Sequence, residues 1–179
     1  MTTRLSQRAP GASLETLAGE PDRCALFAHR NLTVGVWLGQ ADLAAAQATE
    51  RAARIMEARH PAGRSYVAFI LDGLPAPTPD ATDLFTKLMG QHDSLACIAY
   101  VMEGSGFWAS GLRGMINNAY RESGAEGRLR IGTCVEEIAD WLSQSHEKAT
   151  SVAIPAEELR AVLLQARQQA TSTTKASTG

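Results

Sequence analysis

The sequence predicts an α/β domain, a mixed β-sheet with an N-terminal hairpin, helices packed on the sheet and an extra C-terminal helix. Three observations carry that prediction. Residues 66–71 and residues 95–102 are unbroken apolar runs, the pattern of strands buried on both faces. Each run is followed by a turn containing glycine and then by apolar residues at helical spacing. Ahead of them, two apolar runs at 23–30 and 32–38 meet at Arg30-Asn31, and the second is rich in β-formers, which makes a hairpin the natural pairing.

Taken in order, residues 1–20 carry Pro10-Gly11 and scattered Ser/Thr and read as a flexible tail with one helical turn near Leu14 to Leu17. After the hairpin, Asp42 is an N-cap for an alanine-rich helix reaching His60, with Ala48, Ala52, Ile55 and Met56 as its stripe. Small residues on that stripe let the helix lie close to a sheet. The central strand ends at Asp72, a Pro/Gly-rich turn follows, and Thr78-Pro79 starts a helix to about Gly90: hydroxyl at the N-cap, proline at the first helical position. Leu84, Phe85, Leu88 and Met89 share one face of it. The strand at 95–102 turns through Gly104-Ser105-Gly106 into a helix with Leu112, Met115, Ile116 and Ala119 inward, broken at Ser123-Gly124. A short strand at 128–133 and a helix at 136–143, anchored by Ile138, Trp141 and Leu142, complete a domain spanning 21–145. Residues 146–169 read as a linker and an amphipathic helix opened by Pro155, with Leu159, Val162, Leu163 and Ala166 as its stripe. Packing back on the domain and docking on a second copy as a homodimer are both open for that stripe. The Ser/Thr-rich residues 170–179 read as disordered.

Composition narrows the function. With 17 basic and 19 acidic residues and no cationic cluster, there is no electrostatic case for nucleic acid or an anionic membrane. No run approaches the length of a membrane span, and the N-terminus lacks the apolar stretch of a signal peptide. Cys24, Cys97 and Cys134 form no C-x-x-C and all sit in apolar strand-like runs, which suits buried reduced thiols and a cytoplasmic setting.

The order of elements, together with two local motifs, resembles the STAS fold of bacterial anti-sigma-factor antagonists and of the cytoplasmic domain of sulfate transporters. Gly39-Gln40-Ala41-Asp42 keeps the glycine and aspartate of the family's Gly-acid-apolar-Asp turn, with Gln40 in place of the acid. Asp72 and Asp80 keep the separation of eight between the end of the central strand and the Asp-Ser-Ser-Gly helix start. The resemblance covers roughly residues 23–143. It implies a regulatory module whose phosphoacceptor serine follows the second aspartate; that position is Ala81, with Thr82 next and Asp83 where the family prefers glycine. Phosphorylation at Thr82 or Thr78 would require a kinase that tolerates the shift.

Each remaining motif has a chemical and an ordinary reading. Gly104-Ser105-Gly106-Phe107-Trp108-Ala109 fits the dinucleotide pattern G-x-G-x-x-A after a strand and before a helix. It sits at the third strand–helix junction, however, and the next strand ends without a ribose-binding acid, so a tight turn with an anion-binding helix start is the simpler account. Phe107 and Trp108 are either a partner anchor or, for Trp108, a side chain folded onto the core. Trp37 and Trp141 read as core. His29, His60, His92 and His146 show no metal-ligand spacing, and no G-x-S-x-G elbow occurs. Asp72, Asp80 and Asp83 could pair for acid–base work or Mg²⁺, or simply favour turns and a helix N-terminus.

Three readings follow. The first is a non-enzymatic, cytoplasmic bacterial protein-interaction module in signalling, binding another protein through Asp42, Asp72, Thr78, Asp80, Thr82, Phe107 and Trp108, with no cofactor and no metal. The second is a small-molecule or lipid-binding domain of the Sec14 kind, which an apolar cavity of roughly several hundred Å³ under the helices would favour, whereas a filled core with an exposed Phe107/Trp108 patch would favour the first. The third is an NAD-type oxidoreductase built on residues 104–109.

Overall fold

Strands that are apolar on both sides have to be covered twice, and here they are. In a computed structural model, which describes residues 13–91, 94–124 and 126–177, six strands form one sheet in the order of the chain. They are β1 (Glu15–Glu20), β2 (Cys24–His29), β3 (Leu32–Trp37), β4 (Arg64–Ile70), β5 (Leu95–Met102) and β6 (Leu129–Gly132). The first three pair antiparallel; from β3 to β6 every neighbour is parallel. The helices are α1 (Leu43–Arg59), α2 (Pro79–Gln91), α3 (Phe107–Glu122), α4 (Val135–Thr150) and α5 (Ala156–Ser177). The fold is α/β with a mixed sheet, as the apolar runs predict.

Alternation along each strand divides the core. Val34, Val36, Val67, Phe69, Ala99 and Val101 face α4 and α5. Leu26, Trp37, Ala68, Ile70, Ile98 and Met102 face α1, α2 and α3. Asp42 caps α1 as expected, its Oδ1 accepting from the Ala45 N–H at 3.0 Å. Ala45, Ala48, Ala52 and Met56 form the buried stripe of α1; Ile55, expected on it, is only half-buried.

Several expectations are corrected. Residues 15–20 form an edge strand and not a tail or a helical turn. Glu-Thr-Leu-Ala-Gly-Glu is poor in β-formers, and its pairing comes from the partner strand and from α1: Glu15 accepts from Nη1 and Nη2 of Arg59 at 2.8 and 2.9 Å, and Glu20 pairs with Arg51. The remaining tail, residues 1–12, lies outside the described residues. Residues 146–150, expected in a linker, are the last turns of α4, so the link is 151–155. Helix α5 runs on to Ser177, because Ala170 continues its buried stripe. The Ser/Thr residues expected to be disordered bond into the helix instead: Thr171 and Thr173 donate to the carbonyls four residues back, both at 3.0 Å. Residues 178–179 lie outside the described residues. Cys24 and Cys97 are buried, but Cys134 is exposed at the start of α4. Trp37 is core, whereas Trp141 is only half-buried against α5's side.

The C-terminal stripe packs in cis. Leu159, Val162, Leu163 and Ala166 are all fully buried on the sheet face beside α4, so that stripe is not left over for a second copy. Polar ties hold the first turns and the middle of α5: Glu158 receives His29 and Arg30, Asp140 receives Arg160, and Glu103 receives Nε and Nη2 of Arg167 at 2.5 and 2.8 Å. Leu163→Ala should lower unfolding stability by about 2–5 kcal/mol in urea titrations. A change within about 0.5 kcal/mol, the range of surface substitutions, would mean that α5 does not cover the sheet in solution.

Candidate functional site

The two sheet faces are covered with unequal tightness. Backbones of α4 and α5 lie against β2 to β6 on one face, and α1 lies against β1 to β3 on the other. Helices α2 and α3 make no comparable approach to any strand; they touch α1, each other and the 3-10 turn at Glu126–Arg128. Their large inward side chains span the gap, among them Phe85, Met89, Leu112, Ile116 and Tyr120. They do not fill it.

What remains is an apolar cavity offering about 150 Å³ to the centre of a water-sized molecule. Tyr66, Ile70, Ile98 and Tyr100 form its floor; α2, α3 and the turn residues Leu74, Pro75 and Pro77 form its roof and one end. Gly35, in the middle of β3, is needed here for space: a Cβ at that position would lie 2.6 Å from the Tyr66 hydroxyl. The Tyr100 and Tyr120 hydroxyls meet at 3.2 Å, their rings edge to face. Burial pushes all three phenols up from their ordinary value, so they stay protonated donors. At the far end stands Arg64, 2% exposed. It is the one charged side chain among the described lining residues. Thr82, Thr86, Met115 and Ala119 also line an open groove between α2 and α3, where Gly111 and Gly114 leave space; this groove leads to the cavity wall.

The residues predicted from sequence do gather, at the carboxyl edge of the parallel strands, because Trp37, Ile70 and Met102 lie in register. Thr78 N–H bonds the Ala41 carbonyl at 2.9 Å, and the Asp72 carboxylate lies so close over Gly104 (φ +113°) that no Cβ would fit. Most are occupied structurally. Asp42 caps α1 and pairs with Arg23. Thr82 Oγ1 donates to the Thr78 carbonyl at 3.1 Å. Thr78 precedes α2 as expected, but its hydroxyl is buried without a partner among the described residues instead of capping the helix. Asp80 is exposed in the first turn of α2. Phe107 is 96% exposed at the start of α3, beyond the Gly104-Ser105-Gly106 turn, and Trp108 folds partly onto the core. No group of three His, Cys, Asp or Glu among the described residues could hold a metal, and no described helix is long and apolar enough to cross a membrane. His92 lies outside the described residues.

Sequence reading missed two constellations. One is the cavity, whose signal was the tyrosines of β4 and β5 in otherwise aliphatic strands. The other is a buried relay on the opposite face. Asn31 Nδ2 donates to the Gly63 carbonyl at 3.0 Å, which turns its Oδ1 toward His146 Nε2 at 2.9 Å. That nitrogen must therefore carry the proton, and Nδ1 accepts from the Ser65 hydroxyl at 2.7 Å. The order Ser–His–amide is that of a nucleophilic relay, yet Ser65, His146 and Asn31 are 0, 1 and 3% exposed. It ties α4 to β4 and gives a substrate no access.

Comparison of the chain with family models, curated proteins and solved structures found no match. Its function has to be read from these sites.

Burial holds His146 below the ordinary histidine value of 6.5, so the unfolded chain binds a proton that the folded one refuses. The stability this neutral histidine contributes is present above about pH 6.5 and is lost as pH falls from there toward the lowered native value. Urea midpoints should drop between about pH 7.5 and about pH 5.5, and His146→Gln should flatten that drop. Parallel curves for the two proteins would remove His146 as the titrating group.

Proposed function

We propose that this chain is a non-enzymatic binding domain for a small apolar molecule held between the sheet and helices α1, α2 and α3. The observation that supports it is the cavity itself: an apolar space on the one sheet face where α2 and α3 stand away from the strands. An apolar void of this size is stable without water and readily takes up a small hydrophobic guest. The groove between α2 and α3 is the way in, since ligand entry there requires separation of two helices and not rupture of the sheet. This is the reading that likens the chain to Sec14-type carriers.

A specific feature favours a second, compatible role. Phe107 projects from the carboxyl edge of the sheet with almost all its surface in solvent, beside the Asp72–Gly104 contact. That is the surface a STAS-like interaction module would offer to a protein partner. The nearby hydroxyls suit constitutive recognition better than a phosphoswitch, because the Thr78 hydroxyl is buried and that of Thr82 is bonded into its own helix, while Ala81 is fully buried.

Octanol serves as a neutral probe of the first role. In heteronuclear NMR it should shift amides of α2, α3, β4 and β5 and spare α5, and Ala119→Phe should abolish those shifts while the protein stays folded. Octanol shifts scattered over the surface, or none, would sink the cavity reading. For the second role, Phe107→Ser should leave unfolding stability within about 0.5 kcal/mol of the parent, because the side chain packs on nothing. A larger loss in urea titrations would show Phe107 to be part of the fold and not a recognition surface.

A further inference from the structure

Among the described residues Arg64 has two buried side-chain nitrogens without a partner, where Thr33, Thr78 and Arg160 have one such atom each. Arg64 begins β4, its backbone N–H bonds the Ser94 carbonyl at 2.9 Å, and its side chain is 2% exposed at the end of the cavity. Nε and Nη2 are both buried and have no hydrogen-bond partner among the described residues. A guanidinium does not give up its proton, so a charge is held away from water with two of its three nitrogens unbonded among the described residues. Glu57 on α1 lies within electrostatic reach, but its carboxylate accepts from Ser94 at 3.4 Å and does not meet those two nitrogens. Thr33, opposite Tyr66 on the neighbouring strand, lines the same cavity and also has a buried hydroxyl without a partner among the described residues.

The two empty nitrogens identify the missing partner. Nε and Nη2 are the pair that presents two parallel N–H bonds to the two oxygens of a carboxylate. The protein uses that same pair elsewhere: Nε and Nη2 of Arg167 hold both oxygens of Glu103, at 2.5 and 2.8 Å. A phosphate monoester would bring a second negative charge, and the described lining has no second cation to meet it. Away from Arg64 and Thr33 the walls are mostly aliphatic and aromatic, and the hydroxyls of Thr49, Thr82 and Thr86 are bonded to carbonyls four residues back, which suits a hydrocarbon body. We propose that the ligand is an apolar monocarboxylate, with its carboxylate on the Nε–Nη2 fork of Arg64 and its hydrocarbon part over Tyr66 and Tyr100 toward Pro75. This rests on the cavity reading and adds the class of molecule. No bond is made or broken; the interaction is a charge-assisted pair inside an apolar wall.

The test compares octanoate with octanol at neutral pH, by calorimetry and NMR, on the full chain and on Arg64→Met. On the parent protein octanoate should bind about ten- to a hundredfold tighter than octanol, the range of a hydrogen-bonded charge pair. Arg64→Met should remove that preference and keep octanol binding, since methionine conserves the apolar wall. Equal binding of acid and alcohol by the parent overturns the assignment without any variant, and leaves the cavity reading in place. A preference for octanoate that survives Arg64→Met overturns it as well, because the carboxylate then sits elsewhere. If neither probe binds the parent at the cavity residues, the cavity reading fails and the assignment with it.

Discussion

A parallel sheet buries both faces of its strands, and this chain meets that demand asymmetrically. On one face, β-branched and aliphatic residues of the strands meet Ile138, Leu142, Leu159 and Leu163 directly, and the layer closes. On the other, the central strands carry Tyr66 and Tyr100, side chains too long for a helix to settle against the backbone. α2 and α3 are therefore held off, and α1 fits closely only because its inward stripe is alanine. The cavity is the geometric remainder of that mismatch.

The strand β4 shows how two neighbouring positions acquire opposite fates. Ser65 points to the closed face and joins a relay in which Ser65, His146 and Asn31 are each bonded. Arg64 points to the open face and finds no partner among the described residues for two of its nitrogens. Buried polar groups in folded proteins are almost always satisfied, so the contrast itself carries information. One site completes the fold; the other is where the proposed carboxylate would sit.

The carboxyl edge of the sheet tells a more ordinary story. The acidic and hydroxyl residues that gather there cap helices, close turns or bond within α2, and they need no ligand to explain them. Phe107 is the exception, an apolar ring in water with no structural use in the isolated chain. The two proposed roles therefore use different surfaces, the carboxyl edge for a protein and the space behind α2 and α3 for a small molecule.

Much of the architecture was legible from sequence because it follows from local rules. Unbroken apolar runs located β4 and β5, Asp42 located the start of α1, and Pro79 located the start of α2. β1 escaped because an edge strand with glutamates at both ends owes its existence to its neighbours' free backbone and to arginines on α1. The far end of α5 escaped because its composition argues for disorder, while one buried alanine a turn further on argues for helix. The corner residues were placed together correctly, since strand ends of a parallel sheet adjoin by topology. By itself, then, the sequence determined the α/β class, the element order and which side chains share a strand face, for these depend on period, capping and turn chemistry. Only the tertiary structure decided that two Arg64 nitrogens and the Thr33 hydroxyl lack partners among the described residues, that His146 has two, and that a space survives beside Tyr66. Those facts depend on how far apart two layers come to rest, a distance set by the summed size of side chains on both, which no single segment of the chain encodes.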